Sequence, residues 1–269
     1  MLRLDKIHPF VSGNKWFKLR YYLEEAKQQN KKRIVTYGGA WSNHIIATAA
    51  ACRLHGIDCT GIIRGERPSV LCATLQLAAE MGMEFIFMSR EDYGAGRIPD
   101  ELRTANNYFI SSGGYGSPGA KGASAILDHC KKEKYTHICC AVGTGTMLAG
   151  LAEVALASQH LTGISVLKNN FQLEDDVKRL VHKEHNNFRI LHDYHFGGYA
   201  KYDETLLRFM NGFFRETAIP TDFVYTGKLC FAVMNMAEKN FFPARSRILL
   251  IHSGGLTGNL SLKKGLLIF

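Results

Sequence analysis

The chain has 269 residues, 46% hydrophobic and 21% charged, which is enough apolar material for a packed core and excludes a disordered polymer. Its net charge of +9 is scattered over helix faces (Lys27, Lys31, Lys32 and Arg33, then Lys131, Lys132 and Lys134), with no Arg/Gly tract or aromatic-basic alternation. That pattern reads as a solvated basic surface that draws in anionic ligands, not as a nucleic-acid platform. Seven cysteines without C-x-x-C spacing point to reduced thiols in a cytoplasmic protein and away from a disulfide framework or zinc site. The start, MLRLDKIHPF, is too charged for a signal peptide, and the longest uncharged stretch, Ile138–Ala152, is too short to span a bilayer.

In chain order the hydrophobic pattern predicts a helix over Lys15–Gln29 and a strand from Arg33 (RIVTYGG). Next come a helix over Asn43–Leu54, a strand from Thr60 (TGIIRG), a helix over Val70–Met81 and strands from Glu84 (EFIFMS) and Asn107 (NYFISSGG). A helix over Gly122–Lys132 precedes a strand from His137 (HICCAVG), a helix over Met147–Ala157 and a strand from Gly163 (GISVLK). A helix over Gly227–Lys239 and a strand from Arg247 (RILLIHSGG) complete the pattern. Continuous apolar strands separated by helices predict an α/β protein whose parallel sheets are covered on both faces. The Gly/Pro/Ser-rich stretch Ser111–Gly122 is a candidate boundary.

Ligands of such sheets bind where strands turn into helices, and four of these turns are rich in small polar residues. In AVGTGTMLAG, Gly143, Thr144, Gly145 and Thr146 follow an apolar strand and open a helix. Backbone N–H groups there could cup a phosphate, or the glycines could serve turn geometry alone; the residues leave both open. A dinucleotide fingerprint is excluded because Leu148 stands at the third glycine position and Lys168 ends the next strand. In TYGGAWSNH, Ser42, Asn43 and His44 are candidates for a carboxylate, against the commoner reading of Ser42 as an N-cap. In SGNKWFKLRYYLEEAK, Lys15 falls in the first helical turn, where the dipole disfavours a cation and lowers an amine's pKa; Lys18 is an equal rival. HSGGLTGN closes the last strand. His192 and His195 lack the spacing of metal ligands, and Tyr194, Phe196 and Tyr199 read as core.

Five of these segments, GNKWFKL, GGAWSNH, AVGTGT, TDFVYTGK and HSGGLTGN, occur in one order. In this the chain, from Arg3 to Asn259, resembles the 1-aminocyclopropane-1-carboxylate deaminase and D-cysteine desulfhydrase family. That family is a branch of the tryptophan-synthase-β-like, fold type II pyridoxal-phosphate enzymes. The resemblance implies two αβα lobes with parallel-rich sheets and pyridoxal 5'-phosphate in the cleft between them. Residues 29–112 would form the small domain, and residues 1–28 plus 113–269 the large cofactor-binding one. It further implies Lys15 as the Schiff-base residue, Asn43 against the cofactor's 3′-oxygen, and a phosphate cup from Gly143 through Thr144 and Gly145 to Thr146. Ser42 would be a proton-transfer candidate near the substrate carboxylate, and Tyr225 the active-site tyrosine, with Tyr199 a less secure second.

By the same resemblance the deaminases carry Glu near the pyridine nitrogen where this chain has Thr226, and Leu after the last-strand His where it has Ser253. A hydroxyl makes a milder electron sink than a pyridine held protonated by a carboxylate. The expectation is therefore β-elimination from D-cysteine or a similar amino acid, with cyclopropane deamination as the alternative and a non-catalytic binder as a remoter one. A homodimer without nucleic-acid or membrane partners is expected. The family usually has another strand before the lysine motif, so an abbreviated N-terminus is expected, and the closing SLKKGLLIF has no family counterpart.

Overall fold

Runs in which almost every side chain is apolar, such as His137–Val142, are buried along their whole length and form inner strands covered by helices. The computed structural model describes residues 1–183 and 187–269. In chain order it runs β1 (Leu2–Arg3), α1 (Asn14–Gln28), β2 (Arg33–Gly38), α2 (Asn43–His55), β3 (Asp58–Arg64), α3 (Ala73–Glu80), β4 (Met83–Met88), α4 (Arg90–Gly94) and β5 (Asn107–Ile110). It continues through α5 (Ser117–Ser124), β6 (His137–Val142), α6 (Thr146–Val154), β7 (His160–Ser165), α7 (Leu173–Lys178), β8 (Phe188–Leu191), α8 (Glu204–Thr217), α9 (Thr226–Glu238) and β9 (Ile248–His252).

Among the described residues these strands make two sheets, each parallel throughout: β4-β3-β2-β5, and β1-β9-β6-β7-β8. The first is drawn from residues 33–110 alone, while the second joins the beginning of the chain to its last strand. The α/β expectation holds. No helix among the described residues is long and apolar enough to cross a membrane.

The structure departs from the sequence pattern in several places. The helix expected over Gly122–Lys132 begins at Ser117, and Ala125–His129 is a tighter 3-10 turn. Glycine here serves close packing: a Cβ on Gly122 would lie 2.0 Å from the Phe17 carbonyl oxygen, and one on Gly150 would lie 2.4 Å from that of Ala120. Glycines that look like loop signals thus let α1, α5 and α6 lie backbone to backbone. Strands β1 and β8 are short edge strands with little pattern of their own. Helix α8, capped by Asp203, buries Leu206, Leu207 and Met210. The closing SLKKGLLIF lies on this helix: Phe269 meets Phe214 at 4.6 Å, and Asn211 bonds Leu266 O and Ile268 N.

The two ends of the polypeptide meet at Gly13, the residue before α1. Its φ is +66°, and an added Cβ would lie 1.8 Å from the Ser253 carbonyl oxygen. Asn14 N–H donates to that same oxygen at 3.2 Å. Gly13→Ala combines backbone strain with a clash against main chain. It is expected to lower stability by about 3 kcal/mol in urea unfolding, and a variant as stable as the parent would contradict this account of the junction.

Candidate active site

The junction sets the first turn of α1 against the glycine turn after β9, and a cavity opens there. Its walls include Lys15 and Lys18 of α1, Asn43 at the start of α2, Gly143–Gly145 after β6, Tyr225 before α9, and Ser253–Gly255. Of the residues singled out from sequence, Lys15, Asn43, Gly143, Thr144, Gly145 and Tyr225 come together here. Ser42, Thr146 and Thr226 lie outside the lining.

Lys15 is half-buried, and its Nζ donates to Asn14 Oδ1 at 3.2 Å. Burial pulls its pKa down to about 8, with the Asp222 carboxylate working in the opposite sense. Desolvation thus supplies the depression for which the sequence suggested the helix dipole. Lys18, buried, donates to Gly113 O at 2.6 Å, and burial together with the Lys15 charge holds its pKa well below that of an ordinary lysine. No carboxylate lies within ion-pair range of Lys18 among the described residues.

Behind the lysines, the Thr36 hydroxyl donates to Ile110 O, so it accepts from His44 Nε2–H at 2.8 Å. Nδ1 of this buried imidazole is left without a partner. Burial, then the Lys15 and Lys18 charges, push the His44 pKa down. The cavity wall therefore carries two lysines, Lys15 and Lys18, and neither forms an ion pair with a carboxylate among the described residues.

The glycine turn completes an anion site. Gly145 takes a left-handed φ of +80°, and a Cβ there would meet Val177 Cγ2 at 2.6 Å. The first N–H groups of α6 have no helical partner, and Gly143, Thr144, Gly145, Met147 and Leu148 around this helix start line the cavity. Thr144 and Thr146 hydroxyls bond each other at 2.9 Å. The Tyr225 ring lies over Gly143, where a Cβ would come within 3.2 Å of it. Burial, then the Tyr199 hydroxyl, raise the Tyr225 pKa, and the two rings meet edge to face at 6.1 Å.

Asn43 is oriented by a residue that sequence reasoning did not single out. Thr257 Oγ1 donates to Asn43 Oδ1 at 2.6 Å, which leaves the Nδ2 donor for a ligand. Thr257 lies within the quoted HSGGLTGN, but nothing local signals a contact 214 residues away in the chain. Asp222 also escaped notice. Its carboxylate accepts from Val224, Tyr225 and Thr226 N–H and from Thr226 Oγ1 at 2.6–3.0 Å. The Thr226 hydroxyl is thus engaged by Asp222, whereas Ser253 lines the cavity. Ser42 caps α2, its Oγ accepting from His44 N–H at 3.2 Å. His192 pairs with Glu174 at 2.8 Å, Tyr194 donates to Asn235, and half-exposed Tyr199 stands beside Tyr225.

These residues fit pyridoxal phosphate. An unneutralised buried cation and a glycine turn at a helix N-terminus suit a phosphate, an amine of lowered pKa suits an aldehyde, and a fixed amide donor suits a phenolic oxygen. The amine can be tested directly. Because Lys15 is half neutral at about pH 8, its reductive trapping by a small aldehyde, followed by peptide mass spectrometry, should rise through a midpoint near pH 8 and then level off. Exposed lysines should keep rising toward pH ~10.4, and a Lys15 profile that follows them would refute the burial argument.

The comparisons agree with this geometry. The family described as "Pyridoxal-phosphate dependent enzyme" matches residues 1–254. A Thermotoga maritima protein named "Putative 1-aminocyclopropane-1-carboxylate deaminase" is 32% identical over 92% of this chain and 85% of its own. The Arabidopsis thaliana "Bifunctional D-cysteine desulfhydrase/1-aminocyclopropane-1-carboxylate deaminase, mitochondrial" is 26% identical over 92% of this chain and 70% of its own. Among solved structures, one titled as an ACC deaminase homologue superposes with a TM-score of 0.80 at 26% identity, covering 92% of this chain and 81% of that one. The chain belongs to the pyridoxal-phosphate dependent enzymes, with the α/β architecture of fold type II.

Proposed function

We propose that the chain is a lyase that releases ammonia and a 2-oxo acid from a small amino acid, by β-elimination from D-cysteine or a similarly β-substituted substrate. The observation that carries this reading is the meeting of the Lys15 amine, of pKa about 8, with the glycine turn and Tyr225 in one cavity. Gly143, Thr144, Gly145 and Thr146 would hold the phosphate with Lys18 as counter-charge, Lys15 the aldehyde carbon, and Asn43 Nδ2 the 3′-oxygen. When bound, the cofactor supplies an electron sink for the charge left at Cα.

The chain's own groups do the rest. Lys15 Nζ, neutral near its pKa, takes the Cα proton. Ser42, whose oxygen accepts from His44 N–H, keeps its own O–H to donate to the substrate carboxylate. Tyr225, kept protonated by burial, gives a proton to the departing sulfur. Cα–H and Cβ–S bonds break, and hydrolysis of the remainder yields pyruvate, ammonia and sulfide. Two hydroxyls support elimination in place of ring opening: Ser253 lines the cavity, and Thr226 stands one residue after Tyr225 with its hydroxyl on Asp222. A cavity whose nearest carboxylate is already saturated by four donors is a poor means of keeping a pyridine protonated.

Deamination of 1-aminocyclopropane-1-carboxylate to 2-oxobutyrate is the second reading, favoured by the names of the Thermotoga and Arabidopsis relatives. We assign residues 29–112 to a small domain and residues 1–28 plus 113–269 to a large one, on the division between the two sheets. A cytoplasmic homodimer fits the seven free thiols and the kinship.

Purified protein supplied with pyridoxal phosphate should release sulfide and pyruvate from D-cysteine. Lys15→Ala should lose this activity by roughly a thousandfold or more together with the visible absorbance of lysine-bound cofactor. Turnover of the cyclopropane alone would overturn the use made of Thr226 and Ser253, and a Lys15→Ala protein that kept the absorbance would overturn the choice of lysine.

A further inference from the structure

Lys228 closes the motif TDFVYTGK, three residues beyond Tyr225 in the first turn of α9, and its side chain has no exposed surface. Both the helix dipole and the loss of water disfavour a cation there. Beside the attraction of the Asp222 carboxylate, its direct partners are two main-chain carbonyls. Nζ donates to His195 O at 2.7 Å and to Gly198 O at 2.8 Å.

Those carbonyls belong to a loop that is strained on its own terms. Phe196, Gly197, Gly198 and Ala200 all have positive φ, at 51°, 89°, 117° and 52°. Two of them, Phe196 and Ala200, carry side chains that disfavour this region. Each carbonyl already accepts one amide of the loop, Gly198 N to His195 O and Lys201 N to Gly198 O. The ammonium adds the bonds that leave the loop for a regular element. The same face of α9 holds the loop at two further points: the Phe231 ring meets Phe196 edge on at 4.9 Å, and Asn235 Oδ1 accepts from Tyr194. Tyr199 follows Gly198 directly and stands 6.1 Å from Tyr225.

We infer that Lys228 is a positioning residue, whose ammonium clamps the His195 and Gly198 carbonyls so that Tyr199 is held against Tyr225, which lines the cavity. The inference rests on the reading above that Tyr225 acts on the substrate. A lysine that merely filled core space would stabilise the protein without choosing where Tyr199 stands. A clamp acts through Tyr199, and its effect disappears once that hydroxyl is gone.

The test is a double-mutant cycle on the cofactor-loaded full chain, with Lys228→Met, Tyr199→Phe and the two combined, assayed on D-cysteine. Amide hydrogen exchange is measured alongside. Lys228→Met should lower kcat by roughly ten- to hundredfold with KM nearly unchanged. It should speed exchange at residues 196–201 while β6 and β7 stay as protected as before. The double variant should be no slower than the slower single, because both changes remove one interaction. Unchanged exchange at 196–201, or losses that multiply in the double variant, would overturn the clamp. If Lys228→Met does not accumulate as folded protein, Lys228→Gln, which keeps N–H donors without the charge, goes through the same cycle. If the parent turns over no amino acid, the proposed function falls, and the exchange comparison alone decides on the clamp.

Discussion

Everything at the candidate site depends on two stretches of backbone touching without side chains between them. Gly13 lies on the Ser253–Gly254 peptide so closely that no other residue fits. Because Asn14 N–H then bonds Ser253 O, the start of α1 is anchored to the end of β9. That contact brings Lys15 to the mouth of a strand more than two hundred residues away. Thr257 reaches from the same C-terminal turn to Asn43, and Asn259 reaches to Phe223 N and Thr221 O beside Asp222. One turn thus aligns three wall segments, and the steric demand at Gly13 fixes where that turn must sit.

The electrostatics follow from this crowding. Lys15, Lys18 and His44 share a small buried volume, in which the Lys15 charge depresses the basicity of Lys18 and of His44, and the Lys18 charge that of His44. A folded chain accepts such an arrangement when an anion belongs there, and the glycine turn at α6 is built to take one. Asp222 does not fill that role, because its carboxylate already accepts from the Val224, Tyr225 and Thr226 N–H groups and the Thr226 hydroxyl. Its charge still reaches Lys15, raising the amine's pKa against the pull of burial. The reactive amine is therefore balanced between dehydration and one distant carboxylate.

Much of the architecture was legible in the sequence because parallel sheets announce themselves by unbroken apolar strands such as HICCAV and by intervening helices. The ordered motifs were equally legible, and they chose Lys15 where residue chemistry alone left Lys18 as its equal. What stayed hidden shares one physical cause, contact between distant segments. Nothing near Thr257 tells of Asn43, and nothing near Lys228 tells of the His195 carbonyl. Gly122 resembled a helix boundary because its partner, the Phe17 carbonyl, is a hundred residues earlier. The edge strands β1 and β8 owe their form to neighbours rather than to pattern. Helix α8 did carry a signal, with Asp203 as cap and Leu206, Leu207 and Met210 at helical spacing, and could have been read.

Helix α1 has a further consequence. Phe17 packs into the core beneath the five-stranded sheet, whereas Leu19, Tyr22, Leu23 and Ala26 pack into that of the four-stranded one. A rod whose two flanks are gripped by separate bodies behaves like a shared axle: neither body can swing without dragging it or prising it loose. If the cleft breathes as ligand enters, the amine at the rod's tip must shift against the phosphate-gripping bend or hold station while one flank shears. Any displacement of one sheet against the other would thus be transmitted along this rod to the Lys15 amine.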